Sequence, residues 1–219
     1  MLHHDGMRVD PAYADRLHEC GLDSVEKVLA RVEGEIAAWS RTTDTLYVPG
    51  RPERPGFYVK RYLYPTWRNR LRGAFRGTFF GQHRGEAEYR LLDEMRSMGI
   101  AAVRPVAYGA RRVAHFLAAC FLITEEAPDS CNLTTFARDV TRRREPLSHA
   151  LRSELVRQLA REVAGAHGAG FEHGQMFWRN ILVRFGPTGQ PEYLFLDARP
   201  RRGRRRLGRS VSWWMQELA

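Results

Sequence analysis

The chain has 219 residues, with 35 Lys and Arg against 25 Asp and Glu, a formal net charge of +10 and a pI near 10.1. A hydrophobic content of 43% with 11% aromatics excludes a disordered chain, and the length suffices for one domain or for two small lobes around a sizeable core. The charge asks for an anionic partner, and nucleic acid, acidic phospholipid and phosphorylated glycolipid all meet that demand.

Cys20, Cys120 and Cys131 are odd in number and lack metal-ligand spacing, which suits a reducing compartment. The first ten residues lack the apolar core of a signal peptide, and no run is long enough to span a bilayer, so the expected address is cytoplasmic. Residues up to about Gly21 are polar and read as a loose lead-in. Asp23 followed by Glu26 has capping-box spacing, and Val25, Leu29 and Val32 recur at helical period, which predicts a short helix. Glu35 to Val48 reads as strand through Ile36, Trp39, Thr45 and Tyr47. A Pro- and Gly-rich turn covers 49–56, and Phe57 to Tyr62 is a further strand that carries Lys60.

From Trp67 to Arg84 the chain is basic and laced with aromatics, either a solvated loop or a contact for phosphate through bidentate arginine. Gly85 to Met98 predicts a helix whose apolar stripe is Leu91, Leu92, Met95 and Met98. Glu88 falls on that inner side, whereas Glu86 shares a face with Arg90 and Asp93. Gly99 stops the helix, and 100–106 links it to a strand. Phe116 to Thr124 is almost wholly apolar, the mark of a buried strand, and Glu125, Glu126, Ala127 and Pro128 end it. Pro146 to Ala166 predicts a second long helix with Leu155, Val156, Leu159 and Val163 on one face. After Asp197 the chain turns arginine-rich and ends near Trp213, Trp214 and Met215. That composition suits a solubilising end or an anionic membrane surface, with nucleic acid second.

The stretch from His167 to Asp197 carries the chemistry. Two apolar runs, 181–183 and 193–196, flank a Gly-Pro-Thr-Gly turn and predict a β-hairpin. The hairpin sets Asn180 at the start of one strand and Asp197 at the end of the other, and two oxygen-bearing side chains so placed suit a hard cation such as Mg2+.

His167, Gly170 and His173 form the pattern H-x-x-G-x-x-H, and Asn180 follows His173 at the spacing of an H-R-D-x-x-x-x-N loop. With Asp197 in the place of the D-F-G aspartate, the set resembles the protein-kinase-like superfamily. The Y-V-K-R-Y stretch around Lys60 and the E-Y-R-L-L stretch from Glu88 narrow the resemblance to the lipopolysaccharide kinases of Kdo and heptose. The resemblance implies an α+β, two-lobed protein-kinase-like fold with a shortened helical C-lobe. Its N-lobe with hinge would cover about 22–127, the short C-lobe about 128–198, and a basic tail 199–219.

On the same resemblance Lys60 and Glu88 carry over as the ion pair that meets the nucleotide phosphates, and Glu125, Glu126 and Ala127 as the hinge against an adenine edge. His173 braces the loop, and Asn180 and Asp197 hold Mg2+. The implied reaction transfers the γ-phosphoryl group of ATP to a sugar hydroxyl of a lipopolysaccharide-core-like glycolipid, with the chain peripheral at the inner face of the cytoplasmic membrane. Four departures stand out. Gln175 occupies the place of the catalytic-loop aspartate. No G-x-G-x-x-G precedes Lys60, which leaves Thr42 to Val48 to cover the nucleotide. Ala198 and Arg199 follow Asp197, and little chain remains beyond it. A rival reading is a pseudokinase that keeps the fold and binds membrane, nucleic acid or protein; a basic nucleic-acid-binding module is third.

Overall fold

The computed structural model describes residues 2–4, 6–51, 53–68, 70, 82–142 and 147–197. Most of the basic aromatic stretch (71–81), the start expected at Pro146 and the arginine-rich tail lie outside them. The chain divides into two units, Met1–Asp93 with Arg104–Glu126, and Glu94–Val103 with Ala127–Ala219.

The first unit is built on one antiparallel sheet of seven strands: β1 (Leu2–His4), β2 (Met7–Val9), β3 (Glu35–Ser40), β4 (Thr43–Val48), β5 (Phe57–Leu63), β6 (Pro105–Val113) and β7 (Phe116–Glu125). They lie in the order β1-β2-β6-β7-β5-β4-β3. The apolar run of β7 is explained by its place between β6 and β5, where Leu117 to Ile123 are buried.

The loose lead-in expected up to Gly21 is instead part of this core. Met7 pairs with Gly109 and Val9 with Ala107, while Tyr13 and Leu17, from a 3-10 turn (Pro11–Tyr13) and α1 (Ala14–Glu19), are buried beside them. Met7 and Val9 stand two apart, Tyr13 and Leu17 four apart, so the period changes before either becomes visible.

Helix α2 (Val25–Ala30) is capped by Ser24, whose Oγ accepts from the Lys27 N–H at 3.2 Å. Asp23 is not the cap; its carboxylate pairs with Lys27 and His18. The helix buries Val25 and Val28 and ends before Val32, which is exposed. The single strand expected from Glu35 to Val48 is a hairpin, with Ile36 and Trp39 exposed on the edge strand β3. Arg61 closes the gap between α2 and the sheet. Its guanidinium bonds both oxygens of Asp44, at 2.8 and 2.9 Å, and Nη1 donates to the carbonyls of Val28, Leu29 and Arg31 at the helix end.

Helix α3 (Arg84–Ser97) starts against β7 because residue 85 is glycine: a Cβ there would lie 2.2 Å from the Phe121 carbonyl oxygen. His83 precedes it, and Nδ1 of the buried imidazole accepts the Glu86 N–H at 3.2 Å. Burial lowers the pKa of His83 to about 4, so the ring is neutral and able to accept that bond. Tyr89, Leu91, Leu92 and Met95 are buried; Gly99, at φ +77°, ends the helix, and Ile100 N–H returns to Met95 O at 2.9 Å.

The second unit holds a three-stranded antiparallel sheet, β8 (Cys131–Asn132), β9 (Ile181–Phe185) and β10 (Pro191–Phe195), in the order β10-β9-β8, with α4 (Leu133–Arg142) and α5 (His149–Gly168). Ser148 caps α5 by accepting from Leu151 N–H. Leu155, Val163 and Ala166 are its buried residues, whereas Val156, expected on the same face, is 70% exposed. Tyr193 OH donates to Leu155 O at 2.9 Å and ties the helix to β10. The predicted hairpin forms, with Phe195 opposite Ile181 and Pro191 opposite Phe185. Residues 101–103 join its end: Phe195 N–H donates to Ala101 O and Val103 N–H to Phe195 O. Among the described residues no helix is long and apolar enough to cross a membrane, and all three cysteines are free.

Candidate active site

Lys60 stands on β5 between Thr45 of β4 and Leu122 of β7, and its ammonium is 3.2 Å from Glu88 Oε2 on α3. The other oxygen of Glu88 accepts from Tyr62 OH at 2.6 Å and lies 3.3 Å from Arg84 Nε. The pairing follows from local geometry. Lys60 and Tyr62 are two apart on a strand and face the same way, and Arg84 is one helical turn before Glu88. Gly85 sets the height of the turn that carries Glu88 above the strand. Both members of the pair are mostly buried, so the ammonium has few positions open to it and is held as a preset positive charge.

Glu125 and Glu126 are engaged inside the first unit. Glu125 accepts from Tyr13 OH at 2.7 Å and Arg16 Nη1 at 2.6 Å; Glu126 accepts from Tyr47 OH at 2.9 Å and from Gly56 N–H at 2.6 Å. Burial and the adjoining carboxylates push both Tyr13 and Tyr47 up to about 12. The backbone N–H of Glu125 donates to Arg104 O and that of Glu126 to Gly56 O, so both amide donors are already used. Ala127 begins the second unit's longer segment, and its carbonyl accepts from Ser130 Oγ at 2.7 Å.

In the second unit His173 is fully buried and joins two chain segments. Its Nδ1 lies 3.3 Å from the Gln175 N–H, and its Nε2 is 3.1 Å from the Leu196 carbonyl oxygen. A ring that accepts at Nδ1 and faces a carbonyl at Nε2 is the neutral Nε2–H tautomer. The Gln175 carbonyl accepts from Phe177 N–H at 2.9 Å and from Asn180 Nδ2 at 3.0 Å, while Asn180 N–H donates to Phe177 O at 2.7 Å. Met176 is buried and anchors the loop from inside. The Gln175 backbone is thus held from three directions, and its half-buried side chain projects from a fixed base.

Asn180 is buried at the end of a 3-10 turn (Trp178–Asn180), and its carbonyl accepts from Leu196 N–H at 3.0 Å. Asp197 follows directly, half-buried, with φ +56°. That left-handed conformation is uncommon for a residue with a side chain and most accessible to Asn and Asp. The hairpin register therefore carries Asn180 and Asp197 to adjoining positions. The Nδ2 bond to Gln175 O fixes the amide of Asn180, and Oδ1 is its atom that could meet a cation. Among the described residues no group of three or more His, Cys, Asp and Glu could hold a metal ion. An Asn and Asp oxygen pair fits Mg2+ bound together with nucleotide phosphates and waters, a mode that needs only one or two protein carboxylates or carbonyls.

Sequence reasoning missed Tyr62, Gly85 and Met176. Tyr62 had a signal in its two-residue spacing from Lys60; Gly85 and Met176 act through packing that no spacing reveals.

A strand lysine held by a helix glutamate, and a histidine-braced loop leading to an asparagine beside an aspartate, are the ground plan of a protein-kinase-like fold. Residues 26–219 match the lipopolysaccharide kinase (Kdo/WaaP) family, and the chain belongs to that family. Two proteins of Vibrio vulnificus, strains YJ016 and CMCP6, each described as a 3-deoxy-D-manno-octulosonic acid kinase, are 30% identical to it over 100 residues, or 46% of this chain. The aligned stretch covers 38% of the length of each, so the chain matches well under half of these relatives. Among solved structures, that of WaaP in complex with acyl carrier protein superposes at a TM-score of 0.57. It covers 88% of this chain and 70% of that one at 22% identity, a likeness of fold. The maize SIRK1 kinase domain bound to AMP-PNP gives 0.46 at 16% identity, over 80% of this chain and 53% of that one.

Proposed function

We propose that the chain is an ATP-dependent phosphotransferase that acts on a sugar hydroxyl of a lipopolysaccharide-core glycolipid. The observation that carries the reading is the Lys60–Glu88 pair, 3.2 Å apart and mostly buried, in a member of this kinase family. In this reading Lys60 meets the α- and β-phosphates and Glu88 keeps it there, with Tyr62 and Arg84 holding the glutamate. Asn180 Oδ1 and the Asp197 carboxylate hold Mg2+, which when bound neutralises charge on the phosphates. With the N–H groups of Glu125 and Glu126 already used, an adenine edge is left their carbonyls and the amide of Ala127.

Gln175 accepts or donates a hydrogen bond to the attacking hydroxyl and orients it, but takes no proton at neutral pH. Because phosphoryl transfer has a loose transition state, orientation and electrostatics supply most of the acceleration. The net charge of +10 and the arginine-rich tail favour work at an anionic membrane surface on the cytoplasmic side.

Turnover of Mg·ATP by the full chain with a lipopolysaccharide-core acceptor tests the reading. Asp197→Ala is expected to abolish transfer, and Lys60→Met to weaken nucleotide binding. Nucleotide binding without transfer to any core acceptor would make the chain a pseudokinase. No Mg·ATP binding at all would end both readings.

A further inference from the structure

A cavity of 260 Å³ opens between α1, the end of α2 and the turn that joins β4 to β5. Val48 and Phe57 form its apolar floor. Successive strand residues alternate in direction, so Phe57 points away from the side on which Lys60 and Tyr62 meet α3. Four arginines line the cavity, Arg16, Arg31, Arg51 and Arg54, against one acid, Glu19. Arg16 is tied inward, to Glu125 Oε1 at 2.6 Å and to Pro55 O at 2.7 Å. Arg31 donates to backbone carbonyls, Cys20 O at 2.7 Å and Glu33 O at 2.9 Å, which leave its charge without a counter-ion. Arg51 and Glu19 form an exposed pair at 3.3 Å, which solvent weakens, and among the described residues Arg54 meets no carboxylate. The turn itself is fixed. Arg54 N–H donates to Arg51 O at 2.9 Å, and a Cβ on Gly50 would stand 2.0 Å from Arg54 O, so the backbone closes tightly beneath the two exposed arginines.

We infer that this cavity is a second phosphate site, which takes a phosphate monoester or diphosphate group. Guanidinium forks match the oxygens of phosphate bidentately, and a cluster of them left short of carboxylates is the charge such a dianion requires. Arg31 is oriented in advance: the two carbonyls hold Nε and Nη1, and the Nη2 donors remain for a ligand. The floor of Val48 and Phe57 keeps water from one side of the anion, which strengthens each charged contact. Size narrows the occupant. A volume of 260 Å³ is below the about 300–1,000 Å³ of pockets that enclose drug-sized molecules, so it suits a small anion or a headgroup rather than a whole nucleotide. The cavity and the Lys60–Glu88 pair lie on opposite faces of one sheet, so this site is separate from the one assigned to ATP and does not rest on the phosphotransferase reading. A soluble phosphorylated molecule and a phosphomonoester lipid headgroup share the chemistry.

Isothermal titration of the full chain with pyrophosphate and with inorganic phosphate, without Mg2+, tests the site. Salt of roughly 0.15 M, with a Debye length of about 8 Å, screens the scattered surface arginines. Pyrophosphate is expected to bind saturably, and about tenfold or more weakly in Arg54→Ala and in Arg31→Gln. Arg54 is exposed, so its loss spares the fold, and the glutamine amide can still donate to a carbonyl at position 31. Lys60→Met should leave pyrophosphate affinity unchanged. Cosedimentation with phosphatidylcholine vesicles that carry phosphatidic acid, or phosphatidylserine as a charge control, separates the two sources. Preference for phosphatidic acid that is lost in the Arg51→Ala, Arg54→Ala double variant and competed by pyrophosphate assigns a lipid headgroup. Pyrophosphate binding with equal retention on both vesicles assigns a soluble phosphate. The inference is overturned if the parent binds neither pyrophosphate nor phosphate saturably, or if the arginine variants bind as the parent does. Pyrophosphate binding lost in Lys60→Met alone would place the anion at the nucleotide pair and overturn it equally.

Discussion

Gly85 links the packing of the sheet to the placement of the candidate catalytic pair, and Gly85→Ala is the perturbation that separates the two. The added Cβ would stand 2.2 Å from Phe121 O and 2.7 Å from Phe121 C, both backbone atoms of a central strand. Relief to ordinary van der Waals contact requires the start of α3 to withdraw by about 1 Å, since carbon contacts settle near ~3.5–4 Å. Glu88 sits one turn along and moves with it, which stretches bonds that now measure 3.2 Å to Lys60 and 2.6 Å to Tyr62 beyond useful length. Overpacking of this kind costs about 1–3 kcal/mol of stability, and a displacement of about 1 Å at a positioning group costs up to about a hundredfold in rate. Gly165 in α5 is the control: a Cβ there meets nothing within 4 Å, so Gly165→Ala should stabilise by about 0.5–1 kcal/mol and leave transfer unchanged. Urea denaturation and ATP titration of both variants make the measurement. A Gly85→Ala protein with parental stability and parental ATP affinity would refute the argument that this glycine sets the height of Glu88.

Two further predictions concern buried polar groups of the first unit. Arg61→Met should cost about 3–5 kcal/mol, because it strands the Asp44 carboxylate and the α2 carbonyls together, and Asp44→Leu in the same chain should recover part of the loss; a stability unaltered in the single variant would contradict this. His83 ties stability to pH. The folded ring stays neutral down to about 4 while the unfolded one protonates below its ordinary 6.5, so its contribution is whole above pH 6.5 and lost as pH falls towards 4. The loss is about 3 kcal/mol by pH 4, and His83→Asn, which can still accept at the helix start, should flatten that slope; parallel pH profiles for parent and variant would speak against it.

The helix and strand expectations that held rest on residues whose neighbours share one environment. The β7 run Leu117 to Ile123 is buried throughout, so hydrophobicity alone marks it, and the hairpin 181–195 is announced by its turn. The failures share a physical cause. Residues 7–22 bury one apolar side chain at a time as the chain passes from strand to 3-10 turn to helix, and no window holds a single period. Val156 and Val32 sit at helical spacing yet face water, because the extent and rotation of a helix are set by what it packs on. At the candidate site residue type and spacing marked Lys60, Glu88, Asn180 and Asp197, and the structure pairs Lys60 with Glu88 and sets Asn180 beside the end of β10. The sequence was silent on the residues that hold those in place: Tyr62 on Glu88, Gly85 under α3, Met176 inside the loop.

The proposed activity turns on Gln175, and the rigidity of its backbone makes that role testable by a change of one atom. His173 Nδ1, Phe177 N–H and Asn180 Nδ2 all bond its peptide groups, none its side chain, so a substitution there should leave the loop in place. Gln175→Glu keeps the length and volume of the side chain and replaces an amide that cannot take a proton with a carboxylate that can. General-base catalysis is worth about 10²–10⁴-fold where the base is within reach. If the acceptor hydroxyl reaches the head of this side chain, the kcat of Gln175→Glu should rise by a factor in that range while ATP affinity stays constant. Gln175→Asp, one methylene shorter, should gain less. The pH profile provides an independent mark, because transfer by the glutamate variant should fall as the carboxyl protonates in acid, and the parent lacks that ionisation. An unchanged kcat in Gln175→Glu, at full ATP affinity and stability, would mean that no acceptor hydroxyl is delivered here, and the parent's glutamine would then be no orienting group at all.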